Sequence, residues 1–201
     1  MMRVQVSGER IDGNDADIAL AASISFGKGY VDFNRVEPII RGLIANQETV
    51  PFEFASIWFK VRCSRACHSQ MLQYRHASRI TRSLRRTKPL ELEDRSLMTE
   101  ETVPSFARYE ALLKAGWKKE DAREVLPLAT LTEFHILMNL RSLMHFLEER
   151  LSLHAQGEVR EVASQMRDIF KRKFPVTFNA WAESYFHRLE ECGMASQDSG
   201  T

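Results

Sequence analysis

The segment 52–63 reads as a strand, and it excludes an all-helical fold. Phe52, Phe54, Ile57, Phe59 and Val61 favour extended backbone, and part of the run alternates apolar with polar residues. Val4-Gln5-Val6-Ser7 alternates in the same way over a shorter stretch. Most of the remaining sequence carries helical signals. Residues 15–25 are apolar and Ala-rich, with Gly13-Asn14-Asp15 ahead of them as a turn or helix start and Phe26-Gly27-Lys28-Gly29 as a break. Residues 36–45 repeat apolar positions at helical spacing, with Pro38 tolerated in a first turn. Ser64 is placed to cap a helix running through Cys67, Met71 and Leu72. Further helices are predicted over 106–115, 119–126, 132–151, 155–174 and 176–191, and a polar tail follows residue 193. With 201 residues, 44% of them hydrophobic, the chain can bury one substantial core, so one domain over 1–201 is expected. The class is α+β, dominated by helices.

Charge is distributed unevenly. Residues 54–90 hold nine Lys or Arg (Lys60, Arg62, Arg65, Arg75, Arg79, Arg82, Arg85, Arg86 and Lys88), two histidines and no carboxylate. The rest of the chain keeps 19 basic against 27 acidic residues, although the whole has a formal charge of only +1. So local a cationic excess suggests a focused anion site more than general adhesion to nucleic acid. In the segment 75–88, Arg75, Arg79, Arg82 and Arg86 would share one face of a helix, but the Ser and Thr content favours a loop.

Three cysteines, Cys63, Cys67 and Cys192, lack a disulfide framework spacing. His68 beside the first two brings zinc to mind, yet no second Cys/His pair at finger spacing follows, so reduced thiols are expected. Neither a signal peptide nor a membrane-length apolar run is present in the sequence, which points to a cytoplasmic protein. Within 132–151, Asn139, Arg141 and His145 interrupt an apolar stretch; Arg141 and His145 are spaced i and i+4, and Arg150 follows two and a half turns after Arg141. An ordinary solvated stripe and a strip lining a ligand cleft both fit that pattern.

With these residues in place, the chain resembles the flavin-dependent thymidylate synthase family nearly end to end. That family's signature runs Arg-His-Arg, two residues, Ser, one residue, Asn, Glu, one residue, Ser, one residue, Arg, Tyr. Here Arg75, Ser78, Ser83 and Arg85 keep it, while Gln73, Tyr74, Ile80, Thr81 and Arg86 depart from it. The rest is more specific: Gly13-Asn14-Asp15, Ser23-Ile24-Ser25-Phe26, Pro51-Phe52-Glu53, Val125-Leu126-Pro127-Leu128, Thr132-Glu133-Phe134 and the run from Asn139 to Leu147 follow the family's order and spacing. Arg150, Ala155-Gln156 and Glu158-Val159-Arg160 complete the match.

The resemblance implies a central, mostly antiparallel sheet flanked by helices, assembled as a homotetramer with active sites between subunits. It implies methylation of C5 of a uracil nucleotide (UMP or dUMP), with carbon from methylenetetrahydrofolate and electrons from NADPH through FAD. Its flavin positions fall on Ser25, Glu53, Arg75, Ser78, Asn139, Arg141 and His145. Its nucleotide positions fall on Gln70, Ser83, Leu84, Arg85, Arg123 and Arg150, with Arg85 and Arg123 as bidentate phosphate ligands. Arg150 is the expected catalytic group, stabilising the enolate that develops on the uracil as C5 attacks carbon. No protein nucleophile is needed, which agrees with the lack of a Cys-His setting around Cys67. Glu48 stands where the family has a histidine approaching the flavin. The departures suggest a divergent branch, of the kind that methylates UMP in polyoxin-like nucleoside antibiotic pathways. Two alternatives remain: a basic RNA-binding module that has lost catalysis, and a flavoprotein of changed chemistry, such as hydroxymethylation. Tyr74 is the only aromatic residue within the 75–88 run or beside it, which speaks against single-strand stacking.

Overall fold

A left-handed glycine followed by a capped helix sets the first corner of the fold. The structure, a computed structural model, describes residues 4–25 and 27–191, with side chains through His187. Strand β1 (Gln5–Asp12) stops at Gly13, whose φ of 81° and close approach to Ala55 leave no room for a side chain. Asn14 then caps α1 (Asp15–Ile24), accepting from the amides of Ala16 and Asp17 while Asp17 accepts from the amide of Asn14. Asp15 ties this end of α1 to the start of the last helix by accepting from the amides of Val176 and Thr177.

Strands β2 (Ser56–Ser64), β3 (Ser78–Thr81) and β4 (Leu131–Asn139) join β1 in one sheet of order β1-β2-β4-β3, antiparallel at every junction. The helices are α2 (Val36–Ala45), α3 (Arg65–Gln73), α4 (Leu90–Glu93), α5 (Val103–Lys114), α6 (Lys119–Ala122), α7 (Leu140–Arg150), α8 (Gly157–Lys173) and α9 (Pro175–Glu191). One face of the two central strands is buried. Ile57, Phe59, Val61 and Cys63 of β2 and Phe134, Ile136 and Met138 of β4 join a core with Val162, Met166 and Phe170 of α8. Trp58, His135 and Leu137 point the other way, and Trp58 Nε1 donates to His135 Nδ1 at 2.7 Å. A smaller apolar cluster gathers Phe106, Tyr109 and Leu112 of α5 around Ala122 and Leu126.

The fold class is the expected one, and α2 occupies the predicted residues. Ser64 caps α3 as expected, its hydroxyl accepting from the amide of Cys67 at 3.0 Å. Other elements differ. Helix 132–151 does not exist as such: 131–139 is β4, and only 140–150 is helical. Phe134, Leu137 and Met138 do fit a helical period, but Phe134, Ile136 and Met138 fit a strand equally well. The strand prevails because it lies between β2 and β3 and satisfies its backbone on both sides. The strand predicted over 52–63 begins at Ser56, after a 3₁₀ turn at Val50–Phe54, and β1 extends well beyond Ser7. The loop 75–88 contains β3, and 119–126 splits into α6 and a 3₁₀ turn at Arg123–Val125. The tail after 193 lies outside the described residues.

Alternation in β4 makes a direct prediction. Phe134→Ala is expected to destabilise the protein by about 3–5 kcal/mol through the cavity it leaves. His135→Ala, one residue along but on the open face, should cost no more than about 1.5 kcal/mol for its hydrogen bond. Denaturant unfolding of the two variants checks the pair, and comparable losses would contradict the strand.

Candidate active site

Strand β4 runs into α7 without a loop. Asn139 is both the last strand residue and the helix cap, its side-chain oxygen accepting from the amide of Ser142 at 2.8 Å. The amide of Leu140 donates to Ala55 O at 2.9 Å, pinning the junction to the start of β2. This abrupt turn presents Asn139, Arg141 and His145 to a cleft of about 1220 Å³. The segment after α3 supplies Arg75 and Ser78, and Glu53 comes from the turn before β2. The far wall comes from the end of α2 (Ile44), the turn after it (Gln47) and α9 (Trp181). Helices α2 and α9 are held together partly by Arg41, which pairs with Glu183 at 2.5 Å and with Glu37 at 2.9 Å.

The cleft carries both signs of charge. Arg141 Nη1 lies 2.6 Å from Glu53 Oε1, an ion pair at the surface of the cleft. Arg75 enters no hydrogen bond or ion pair among the described residues. Glu148 accepts from Trp181 Nε1 at 3.0 Å, and the Trp181 ring stacks on Tyr185, giving the far wall a rigid aromatic surface. Tyr74 donates its hydroxyl proton to Ser142 O at 2.6 Å. Burial of the phenol, with the Glu149 carboxylate nearby, pushes its pKa up to about 12.

Six of the seven expected flavin positions therefore meet in one cleft: Glu53, Arg75, Ser78, Asn139, Arg141 and His145. Ser25 does not; it is exposed at the end of α1. The expected nucleotide positions do not border the cleft within this chain. Arg85 and Arg123 meet elsewhere, around Glu120: Arg85 Nε is 3.6 Å from its carboxylate, and Arg123 Nε donates to its backbone carbonyl at 3.1 Å. Ser83 closes the neighbouring turn, its carbonyl accepting from the amides of Arg86 and Thr87, and Leu84 packs on the smaller apolar cluster. Gln70 sits half-buried on α3. Arg150 ends α7, and its Nε is buried without a hydrogen-bond partner. The five arginines of the expected flavin and nucleotide sites thus fall within one chain into a pair in the cleft, a pair at Glu120 and Arg150.

A second cavity, of about 720 Å³, lies on the other side of residues 46–49. Gln47 and Thr49 face the first cavity, whereas Asn46 and Glu48 face the second, where Lys28, Tyr30 and Arg35 also stand. Gln47 adopts a φ of 58°, the left-handed backbone that this tight reversal demands. Glu48 therefore points away from the flavin positions. Sequence reasoning missed the walls built from Ile44, Gln47 and Trp181, because only packing of α9 on α2 brings them to the cleft.

The basic segment is also less free than its composition suggests. Arg82 pairs with Glu93, Lys60 with Glu133 at 3.2 Å and Arg85 with Glu120, all carboxylates from outside 54–90. This internal neutralisation weakens the electrostatic case for RNA binding. Cys63 and Cys67 are both free and fully buried, and burial beside a second thiol pushes Cys63 well above the usual thiol range. Buried as they are, neither sulfur can reach a ligand. Among the described residues, no three His, Cys, Asp or Glu side chains group as metal ligands, and no helix is long and apolar enough to cross a membrane.

Comparison with known proteins identifies the family. The family model described as thymidylate synthase complementing protein matches residues 9–176. Flavin-dependent thymidylate synthases from Thermotoga neapolitana and Thermus thermophilus are 32% and 30% identical. The first match covers 84% of this chain and 86% of the relative, and the second covers 89% and 74%. A crystal structure of PolB, a UMP/dUMP methylase from Streptomyces cacaoi bound with 5-Br dUMP, superimposes with a TM-score of 0.80 at 25% identity. That match covers 90% of this chain and 95% of PolB. With a family match across most of its length and relatives at 30% and 32% identity, the chain belongs to the flavin-dependent thymidylate synthase family.

Proposed function

We propose that this protein methylates C5 of a uracil nucleotide, UMP, dUMP or both, taking its carbon from methylenetetrahydrofolate. The observation that carries the reading is the meeting of Glu53, Arg75, Ser78, Asn139, Arg141 and His145 in one cleft. At about 1220 Å³ the cleft exceeds the roughly 300–1,000 Å³ typical of pockets for smaller ligands, so a dinucleotide fits it. Its donors suit FAD: the guanidinium groups of Arg75 and Arg141 would pair with the diphosphate, and the Asn139 amide would offer N–H donors. When bound, FAD would supply the hydride that completes the methyl group, with NADPH as the reductant.

The chain's own residues orient the pyrimidine and steady its charge. A methyl group enters at C5 and a proton leaves, so negative charge develops on the uracil carbonyl edge on the way. Arg150, with a buried and unsatisfied Nε, is suited to hold that edge. Arg85 and Arg123 are suited to the monophosphate once Glu120 yields. Because these groups do not border the cleft of their own chain, the reading requires a homotetramer in which neighbouring subunits complete each site. The assay is direct. Purified protein with FAD, NADPH and methylenetetrahydrofolate is expected to convert UMP or dUMP to the 5-methyl nucleotide, a gain of one CH₂ by mass spectrometry. A product bearing hydroxymethyl would redirect the chemistry, and a protein that binds no flavin even with nucleotide present would end the proposal.

A further inference from the structure

Tyr74 holds the middle place of the first signature triplet, where the family has a histidine. A phenol has one proton to donate, and this one goes to Ser142 O at 2.6 Å. The same oxygen lies 3.3 Å from Nδ1 of His145. Having spent its proton, it can serve the imidazole only as an acceptor, so Nδ1 must carry a hydrogen. In the neutral ring Nε2 is then a bare acceptor. Glu149 does not use it, standing 3.9 Å away and having no proton to give when ionised. Nor can the phenol swing aside: its ring is buried, edge-on to Phe146 at 5.3 Å and tilted against His145 at 5.8 Å.

We propose that Tyr74 is a positioning residue that fixes the tautomer of His145, leaving Nε2 to accept a hydrogen bond from an N–H or O–H group of the ligand in the cleft. Both side chains border that cleft. The departure from the family's histidine is thus a working alternative to it, in which a hydroxyl supplies the orienting acceptor. That the ligand is FAD rests on the function proposed above; the tautomer does not.

The test separates the two. Long-range ¹H–¹⁵N spectra of histidine-labelled protein, with His145 assigned by its loss in His145→Gln, should show a protonated Nδ1 in the wild type. In Tyr74→Phe the ring and its packing remain while the oxygen is gone, and the Nε2–H tautomer should gain population. FAD titration should then show a dissociation constant about 5- to 10-fold higher in Tyr74→Phe, the loss expected for one neutral hydrogen bond. A wild-type His145 protonated at Nε2 alone would overturn the proposal, and that spectrum decides even if the variant fails to fold. An unchanged tautomer in Tyr74→Phe would overturn it too, as would a shifted tautomer with unchanged FAD affinity. If the tautomer shifts but neither protein binds FAD, the positioning role stands and the flavin reading falls.

Discussion

Arg150→Ala is expected to lower kcat on the uracil nucleotide by about 10²–10³-fold, the usual consequence of removing one donor that stabilises developing oxyanion charge. The guanidinium sits at the end of α7, half-buried, with an Nε that has no acceptor among the described residues. A donor held desolvated and unsatisfied is costly to the fold and useful to a ligand. The variant should therefore melt within about 1 kcal/mol of the wild type, because truncation removes an unpaired group and breaks no pair. Steady-state kinetics combined with nucleotide titration check this. A raised KM with kcat intact would reassign Arg150 to uniform substrate binding.

Arg141→Ala should act on the other ligand. A charge-assisted hydrogen bond contributes about 1.5–3 kcal/mol, so the FAD dissociation constant should rise roughly 10- to 150-fold. The cost in stability should be small. The Arg141–Glu53 pair is about half exposed, and such pairs contribute roughly 0–1 kcal/mol. Flavin fluorescence titration beside a thermal melt would show both effects. If Arg141→Ala and Arg150→Ala weakened flavin and nucleotide alike, the two arginines would share one subsite, and the division of labour along α7 would be wrong.

What could be read from the sequence was what is decided locally. The helix start after Gly13, the Ser64 cap and the amphipathic α2 depend on residues within one turn of each other, and each lies where expected. Strand β4 differs from the expected helix because its apolar positions satisfy two periods, and the deciding bonds come from β2 and β3, whose paired residues lie 53 to 83 positions earlier in the chain. The charge count failed in a related way. Counting carboxylates inside 54–90 could not anticipate that Glu93, Glu120 and Glu133 would fold back onto it. The site shows the same division. Ordered motif matches picked out six expected flavin positions that meet in one cleft, whereas Ile44, Gln47 and Trp181 come from packing that no local pattern announces. The separation of Arg85, Arg123 and Arg150 from that cleft within a single chain is in line with the sites between subunits that the resemblance implied.

The joint between β4 and α7 limits what Asn139 can say to a ligand. Its oxygen is already committed to the Ser142 amide, so only the NH₂ end of the carboxamide is left to face outward. Any group it recognises must bring lone pairs. Aspartate in its place would hold the helix just as firmly, yet would meet the same group with repulsion, so folding and recognition could be pulled apart at one atom.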